Sequence, residues 1–136
     1  IKNIKMKKLK FSLILPVFNE ENMVEETINE IIKLRKNNQN FFEIIIVNDG
    51  SKDTTGAKLD KFTSIEGIKI INHEKNYGYG RALKSGIMNS KSDIIFITDV
   101  DGTYPNNKIL EFYVQFTENK ADMLVGARDI FGPNIS

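Results

Sequence analysis

Two carboxylates that stand one residue apart, Asp99 and Asp101, follow the apolar run Ile94–Thr98. Such a run predicts a buried strand, and open α/β sheets bind ligands where their strands end. Two negative charges about 4 Å apart repel each other by roughly 4 kcal/mol at an effective dielectric near 20, and a hard divalent cation offsets that repulsion. An ordinary strand end followed by an Asp-Gly turn produces the same tripeptide without a metal. The pair is therefore a candidate metal site that depends on its neighbouring loops.

Composition excludes several functional classes. The 136 residues are expected to form one domain, and the net charge of +1 argues against a dedicated nucleic-acid binder. The absence of cysteine excludes disulfide and thiolate chemistry and suits a reducing cytosol, so we expect a cytoplasmic location. His73 is the single histidine, which argues against a histidine-rich zinc site. With no carboxylate or second histidine nearby at ligand spacing, His73 is expected to be structural or solvated.

A basic leader is expected over residues 1–9, ahead of a domain over residues 10–136, because lysine occupies five of the first ten positions. The leader is either a solvated segment or one attracted to an anionic membrane surface, where each lysine adds about 1 kcal/mol. The second interpretation implies peripheral association with the cytoplasmic face of the membrane. The chain begins with Ile rather than Met, and we expect a segment of a longer protein, truncated on its C-terminal acceptor side. The oligomeric state is left open.

Strand and helix patterns alternate along the chain. Short apolar runs predict strands, and apolar residues at helical spacing predict helices. The predicted strands are 11–17, 42–47, 68–72, 94–98 and 123–126. The predicted helices are 20–36, 55–62, 79–89 and 108–118, with Asn19 as the N-cap of the first. This alternation predicts an α/β domain with a mostly parallel sheet and helices on both faces.

The unusual polar and glycine residues all follow predicted strands. They lie at 16–20, 48–51, 76–81, 99–103 and 128. In a parallel sheet these positions share one edge, so the sequence predicts that they meet in a single cleft.

Gly78 and Gly80 precede the third predicted helix without forming a dinucleotide-binding fingerprint, because Leu83 occupies the third glycine position. Glycine still allows a ligand to approach the backbone closely, and the helix N-terminus favours an anion. In this interpretation Arg81 adds a charge-assisted contact to phosphate. The alternative is a simple strand-to-helix turn.

Five loop motifs occur in order between Lys10 and Arg128. They are Pro16-Val-Phe-Asn-Glu20, Val47-Asn-Asp-Gly-Ser-Lys-Asp53, Asn76-Tyr-Gly-Tyr-Gly-Arg-Ala82, Asp99-Val-Asp-Gly-Thr-Tyr-Pro105 and Gly126-Ala-Arg128. Together they resemble the nucleotide-sugar-binding half of family 2 glycosyltransferases, and most nearly the polyprenyl-phosphate (dolichol-phosphate mannose synthase-like) branch. The resemblance implies the GT-A fold, a Rossmann-like three-layer sandwich with a mostly parallel central sheet.

The resemblance also implies a nucleoside side to the cleft. Pro16 and Phe18 would line it, with the Phe18 ring stacked on the base and Glu20 beside them. The family more often has Tyr at position 18, so the stacking is kept and a hydroxyl contact is lost. Asp49 would accept a hydrogen bond from the base, and Asn48 stands where family members often carry a further Asp.

The implied phosphate side carries the catalytic residues Asp99, Asp101 and Arg128. The two aspartates would hold Mg²⁺ or Mn²⁺ on the donor diphosphate, and Arg128 would face a diphosphate or an acceptor phosphate. Some lipid-phosphate members have Gln where this chain has Thr103, which leaves the third metal ligand unassigned.

The implied reaction is the inverting transfer of a sugar from a UDP- or GDP-sugar to an acceptor, with polyprenyl phosphate favoured over a saccharide. One alternative is a Mg²⁺-dependent phosphatase of the haloacid-dehalogenase type, with Asp99 as nucleophile and Asp101 as acid/base. That alternative leaves the loops at Pro16 and Asp49 without a purpose. The other alternative is a non-catalytic nucleotide-sugar-binding module, and this chain by itself is expected to bind donor without necessarily turning it over.

Overall fold

The computed structural model describes residues 9–36, 41–100 and 108–118. Four strands alternate with helices along these residues. The strands are β1 (Leu9–Val17), β2 (Phe41–Asn48), β3 (Ile68–Asn72) and β4 (Ile95–Ile97). The helices are α1 (Val24–Lys36), α2 (Thr55–Leu59) with a 3₁₀ turn (Asp60–Phe62), α3 (Tyr79–Met88) and α4 (Ile109–Glu118).

The four strands form one parallel sheet in the order β3-β2-β1-β4. The pairing aligns the carboxyl ends of the strands, because Val17 pairs with Asn48 and Asn48 pairs with Asn72. After β3 the chain crosses to the other side of β1 before it forms β4, so the strand order reverses between β1 and β4. In open α/β sheets the crevice beyond such a reversal is where ligands bind.

Helices cover both faces of the sheet. On one face, α1, α2 and α4 bury a large apolar cluster that includes the stacked rings of Phe11 and Phe42, whose centroids are 4.5 Å apart. Tyr113 of α4 packs on Phe11 at 5.1 Å, which docks that helix on the sheet. On the other face, α3 packs on a smaller cluster around Ile14 and Ile45. The predicted three-layer arrangement is confirmed.

The predicted strands and helices are confirmed within the described residues, with small differences at their ends. β1 begins at Leu9, which pairs with Phe41, so the last residue assigned to the basic leader belongs to the sheet. The predicted strand 123–126 lies outside the described residues. Among the helices of the described ranges, none has the length and apolar character that crossing a membrane requires.

The predicted N-cap at Asn19 is wrong. The helix begins at Val24, after a turn in which the Val24 N–H donates to the Glu20 carbonyl at 2.9 Å. Asn19 instead adopts a left-handed backbone with a φ of 52°, and its side-chain oxygen accepts from the Lys52 N–H at 2.8 Å. Asn tolerates this conformation better than most residues, and here its side chain joins two loops rather than capping a helix.

Arg35 has a role that its place in a basic helix end did not predict. Its side chain is buried and donates to the backbone carbonyls of Phe42 at 2.9 Å and Glu66 at 2.7 Å. The guanidinium also lies over the Phe41 ring, 4.6 Å from its centroid. These contacts satisfy the buried charge and join the end of α1 to the beginning of β2 and to the segment before β3.

Two glycines of α3 provide a matched test of how tightly this helix packs. A Cβ added at Gly86 would lie 2.5 Å from Ile14 Cγ2, whereas one added at Gly80 would meet no atom within 4 Å. Because a buried β-branched side chain cannot easily move aside, Gly86→Ala is expected to lower the free energy of unfolding by about 1 kcal/mol or more. Gly80→Ala is expected to leave stability unchanged or to raise it by up to about 1 kcal/mol, because Ala favours the helix.

Urea unfolding of the two variants beside the parent chain measures the difference. Equal stability of both variants would contradict the close packing of α3 on β1.

Candidate functional site

A cleft of about 420 Å³ opens at the carboxyl edge of the sheet, where the strand order reverses. Six of the residues predicted for the donor site line it. They are Pro16, Phe18, Glu20, Asp49, Gly78 and Asp99. The remaining lining residues are Val17, Asn76, Tyr79, Ala82 and Val100. The structure thus brings together the ends of β1, β2 and β4 with the start of α3, as the parallel topology predicted.

Phe18 lies on a loop that is anchored from the neighbouring segment. The N–H of Asn19 donates to Ser51 Oγ at 2.9 Å, and the N–H of Glu20 donates to Thr55 Oγ1 at 2.9 Å. Phe18 itself is 43% exposed beside the cleft. A large aromatic ring that stays exposed on an anchored loop is suited to stacking on a flat ligand.

Asp49 is held in the cleft by hydrogen bonds to both of its carboxylate oxygens. It is only 3% exposed, yet it lines the cavity. Its Oδ1 accepts from the Tyr77 N–H at 2.9 Å, and its Oδ2 accepts from the Gly78 N–H at 2.9 Å. Burial by itself would raise the pKa of this carboxyl, but the hydrogen bonds from His73, Tyr77 and Gly78 outweigh burial and lower the pKa below its ordinary value. Asp49 is therefore ionised and acts only as an acceptor.

His73 has a carboxylate partner, contrary to the expectation from its sequence neighbours. Its Nδ1 lies 2.8 Å from Asp49 Oδ1, and its Nε2 lies 2.7 Å from Ser85 Oγ. The His73 side chain is 11% exposed, so the predicted structural role fits and the solvated one does not. The expectation missed this pair because the two residues meet only after β2 and β3 pair side by side.

Asn48, where the resemblance leads us to expect a further Asp, uses both ends of its side-chain amide in hydrogen bonds. Its side-chain amide donates to Asn72 Oδ1 at 2.9 Å, and its Oδ1 accepts from the Ser51 N–H at 3.3 Å. Gly50 follows with a φ of 72°, and a Cβ there would lie 2.2 Å from the backbone carbon of Lys75. The turn after β2 therefore packs directly on the loop that enters α3, and only glycine fits at position 50.

Gly78 and Arg81 differ in their relation to the cleft. Gly78 lines it with a φ of 103°, and its N–H is engaged by Asp49. Arg81 is exposed and is not among the described residues that line the cleft; its guanidinium lies 5.2 Å from the centroid of the Tyr77 ring. Its contact to phosphate remains a prediction.

Asp99 lines the cleft two residues after β4 ends. Its predicted partners Asp101 and Arg128, and Thr103 with them, lie outside the described residues. Within the described ranges, no cluster of three or more His, Asp or Glu side chains is placed to hold a metal ion. Of the two aspartates predicted to bind the metal, only Asp99 is among the described residues, and it lies at the predicted edge of the sheet.

The family described as "Glycosyl transferase family 2" matches residues 12–136. The chain belongs to this family. The match includes the loops at Pro16 and Asp49, which the phosphatase alternative left without a purpose, and it therefore favours the glycosyltransferase interpretation over that alternative.

Similar proteins agree with this assignment. Dolichyl-phosphate beta-glucosyltransferase ALG5D of Trichomonas vaginalis is 33% identical over 132 residues, which are 88% of this chain and 39% of that protein. Dodecaprenyl-phosphate galacturonate synthase of Rhizobium johnstonii is 28% identical over 93% of this chain and 38% of that protein. The chain thus spans about two fifths of the length of these curated relatives.

A solved structure shows the same fold. The mannosyltransferase PcManGT of Pyrobaculum calidifontis, determined with GDP-Man and Mn²⁺, superimposes with a TM-score of 0.64 at 20% identity, over 77% of this chain and 31% of that one. The GT-A fold expected from the sequence resemblance is confirmed.

Five lining residues were given no individual role from the sequence, although all of them except Ala82 lie in the ranges expected to meet in the cleft: Val17, Asn76, Tyr79, Ala82 and Val100. Asn76 and Tyr79 belong to the motif that was selected for its glycines. Their closeness to Gly78 in the sequence could have indicated that they line the cleft. Val100 lies between the two aspartates, and its buried side chain contributes to the core while it borders the cleft.

The lowered pKa of Asp49 predicts a dependence of stability on pH. Because the folded-state pKa lies below the unfolded value of about 3.8, the ionised carboxylate stabilises the fold above that pH and loses its contribution as pH falls through the folded-state pKa. Asp49→Asn is expected to lower the free energy of unfolding by about 1–3 kcal/mol at neutral pH, because a buried donor then faces other donors.

Urea unfolding from neutral pH to below pH 3.8 tests this, with Asp60→Asn on the exposed 3₁₀ turn as the matched control. The difference in the free energy of unfolding between the parent and Asp49→Asn is expected to become smaller as the pH falls below 3.8. A difference in the free energy of unfolding that stays constant over the whole pH range would contradict the role of the ionised carboxylate.

Proposed function

We propose that this chain is the donor-binding part of an inverting glycosyltransferase that uses a nucleoside-diphosphate sugar. The observation that carries the proposal is the single cleft lined by Phe18, Asp49 and Asp99, at the reversal point of a parallel sheet, in a chain of glycosyl transferase family 2. A volume of about 420 Å³ lies within the usual range of roughly 300–1,000 Å³ for ligand sites.

The base occupies the side of the cleft formed by β1 and β2. Its flat face stacks on the exposed Phe18 ring beside Pro16. A ring N–H of the base donates to Asp49 Oδ2, which among the described residues accepts only from the Gly78 N–H and so keeps a further lone pair. The fixed carboxylate and the anchored ring together suit a nucleoside better than an isolated anion.

The diphosphate occupies the side of the cleft at the end of β4. Carboxylate oxygens are the donors that Mg²⁺ and Mn²⁺ prefer, so the donor chemistry of Asp99 and Asp101 fits such a cation. When bound, the cation neutralises the charge that builds on the departing nucleoside diphosphate. Arg128 faces the diphosphate or the acceptor phosphate in this proposal, and Glu20 lies beside the donor.

The acceptor in this proposal is a polyprenyl phosphate. The names of the curated relatives, dolichyl-phosphate beta-glucosyltransferase and dodecaprenyl-phosphate galacturonate synthase, support this class of acceptor. A lipid phosphate is already ionised and attacks the anomeric carbon without a protein base, whereas a hydroxyl acceptor requires one. Such an acceptor places the reaction at a membrane surface, with the protein associated peripherally at its cytoplasmic face.

Substitution of the aspartates tests the cation site. Asp99→Asn and Asp101→Asn are each expected to abolish the Mn²⁺-dependent part of UDP or GDP binding, because a neutral amide is a weaker ligand for a hard cation. Asp93→Asn, an exposed position just before β4, is the matched control and is expected to bind as the parent does. Isothermal titration calorimetry with and without Mn²⁺ gives the affinities. Unchanged Mn²⁺-dependent affinity in both aspartate variants would rule out the proposed site.

Substitution of Phe18 tests base stacking. Stacking of a base on an aromatic side chain is worth about 1–3 kcal/mol, so Phe18→Ala is expected to weaken nucleotide affinity by about 5-fold to 150-fold. Affinity for pyrophosphate with Mn²⁺ should stay the same, because pyrophosphate has no base. The control is Ile87→Ala. Ile87 is about as exposed as Phe18 and lies near the C-terminal end of α3, away from the end that lines the cleft. Equal losses for nucleotide and pyrophosphate would show that Phe18 does not contact the base.

A further inference from the structure

The chain of hydrogen bonds from Asp49 through His73 to Ser85 has a direction. Asp49 is an ionised acceptor, so His73 Nδ1 must donate its proton to Asp49 Oδ1 across 2.8 Å. In the neutral imidazole the other nitrogen, Nε2, is then an acceptor, and Ser85 Oγ donates to it across 2.7 Å. The ionised Asp49 carboxylate thereby selects the His73 tautomer that carries the proton on Nδ1, and the Ser85 hydroxyl, which can donate or accept, supplies the matching partner for Nε2.

This order of residues is also that of a nucleophilic triad, but the surroundings do not suit one. The described residues that line the cleft include Asp49 and neither His73 nor Ser85. The serine therefore does not face the cavity in which a substrate would bind. Of the three residues in the chain of hydrogen bonds, only Asp49 lines the cleft. His73 and Ser85 therefore act on a bound ligand only through the Asp49 carboxylate.

His73 holds the oxygen of Asp49 that it shares with the backbone. Oδ1 accepts both from His73 and from the Tyr77 N–H, whereas Oδ2 accepts from the Gly78 N–H. With Oδ1 occupied twice, rotation of the carboxylate is prevented and Oδ2 keeps a lone pair for a ligand. The His73 ring is itself packed edge-on against the Tyr77 ring, with centroids 5.4 Å apart.

We propose that His73 is a positioning residue for the nucleotide base: through its Nδ1–H it fixes the Asp49 carboxylate so that Oδ2 accepts a hydrogen bond from the base, while Ser85 holds the other side of the His73 ring at Nε2. This inference rests on the proposed binding of a nucleotide by Asp49. His73 does not touch the ligand, so its substitution acts on base recognition and not on the phosphates.

Two amide substitutions of His73 distinguish its Nδ1 contact to Asp49 from its Nε2 contact to Ser85. The amide nitrogen of Asn in His73→Asn lies near the position of Nδ1 and preserves the contact to Asp49. The side-chain amide of Gln in His73→Gln reaches the position of Nε2, where its oxygen accepts from Ser85 Oγ, and it preserves only that contact. Calorimetric affinities for UDP, GDP and pyrophosphate, each with Mn²⁺, compare these variants with the parent and with Asp49→Ala.

His73→Gln is expected to weaken UDP or GDP binding about tenfold, since a charge-assisted hydrogen bond to Asp49 is lost, and to leave pyrophosphate binding unchanged. His73→Asn is expected to bind all three ligands nearly as the parent does. Wild-type affinity of His73→Gln for the nucleotides would overturn the inference. So would equal losses for nucleotides and pyrophosphate in both variants, which indicate a role in the fold alone.

A measurement on the parent chain keeps the inference testable if a variant does not fold. Nitrogen-15 NMR of the single histidine is expected to show the Nδ1-protonated tautomer and a shift of its resonance on binding UDP or GDP but not pyrophosphate. The opposite tautomer would overturn the inference. Failure of the proposed function has a different signature: the parent binds no nucleotide, or Asp49→Ala binds nucleotides as the parent does.

Discussion

A single buried carboxylate joins the parts of this molecule that form the cleft. Asp49 follows β2, accepts from the backbone of the loop that enters α3, and is paired with a histidine that follows β3. Its own N–H donates to the Val17 carbonyl at the end of β1. An ionised group at 3% exposure is tolerated because each of these donors compensates part of its lost hydration. Removing the charge would deprive three partly buried donors of their ionised acceptor in the same place: His73 Nδ1–H and the N–H groups of Tyr77 and Gly78.

The arrangement of the strands brings those hydrogen-bond donors close to Asp49. β1, β2 and β3 are parallel and in register at their carboxyl ends, so the loops that follow them begin at the same level. The crossover from β3 to β4 then passes β2 and β1, so Asp99 lines the cleft from the end of β4 and Asp49 lines it from the end of β2, with β1 between them. The separation of a base side from a phosphate side in the proposed function therefore follows from strand order and not from any one motif.

Much of this arrangement was predictable from the sequence, because apolar runs and helical spacing are local signals. They located the strands and helices of the described residues, and the parallel topology then predicted that Pro16, Asp49, Gly78 and Asp99 would meet. Side-chain pairing between distant segments has no such periodicity. His73 lies 24 residues from its carboxylate partner, and nothing in its sequence neighbourhood indicated that contact. The prediction for Asn19 was wrong for the same reason, since its side-chain partner is a backbone N–H of another loop. The contacts of Arg35 to backbone carbonyls of β2 and of the segment before β3 had no local signal either.

The most direct test is a crystal structure of this chain with UDP or GDP and Mn²⁺. We expect the base to stack on Phe18 with its ring N–H donating to Asp49 Oδ2, and the diphosphate and its cation to lie beside Asp99. A nucleotide bound elsewhere on the molecule, with this cleft left empty, would contradict this expectation.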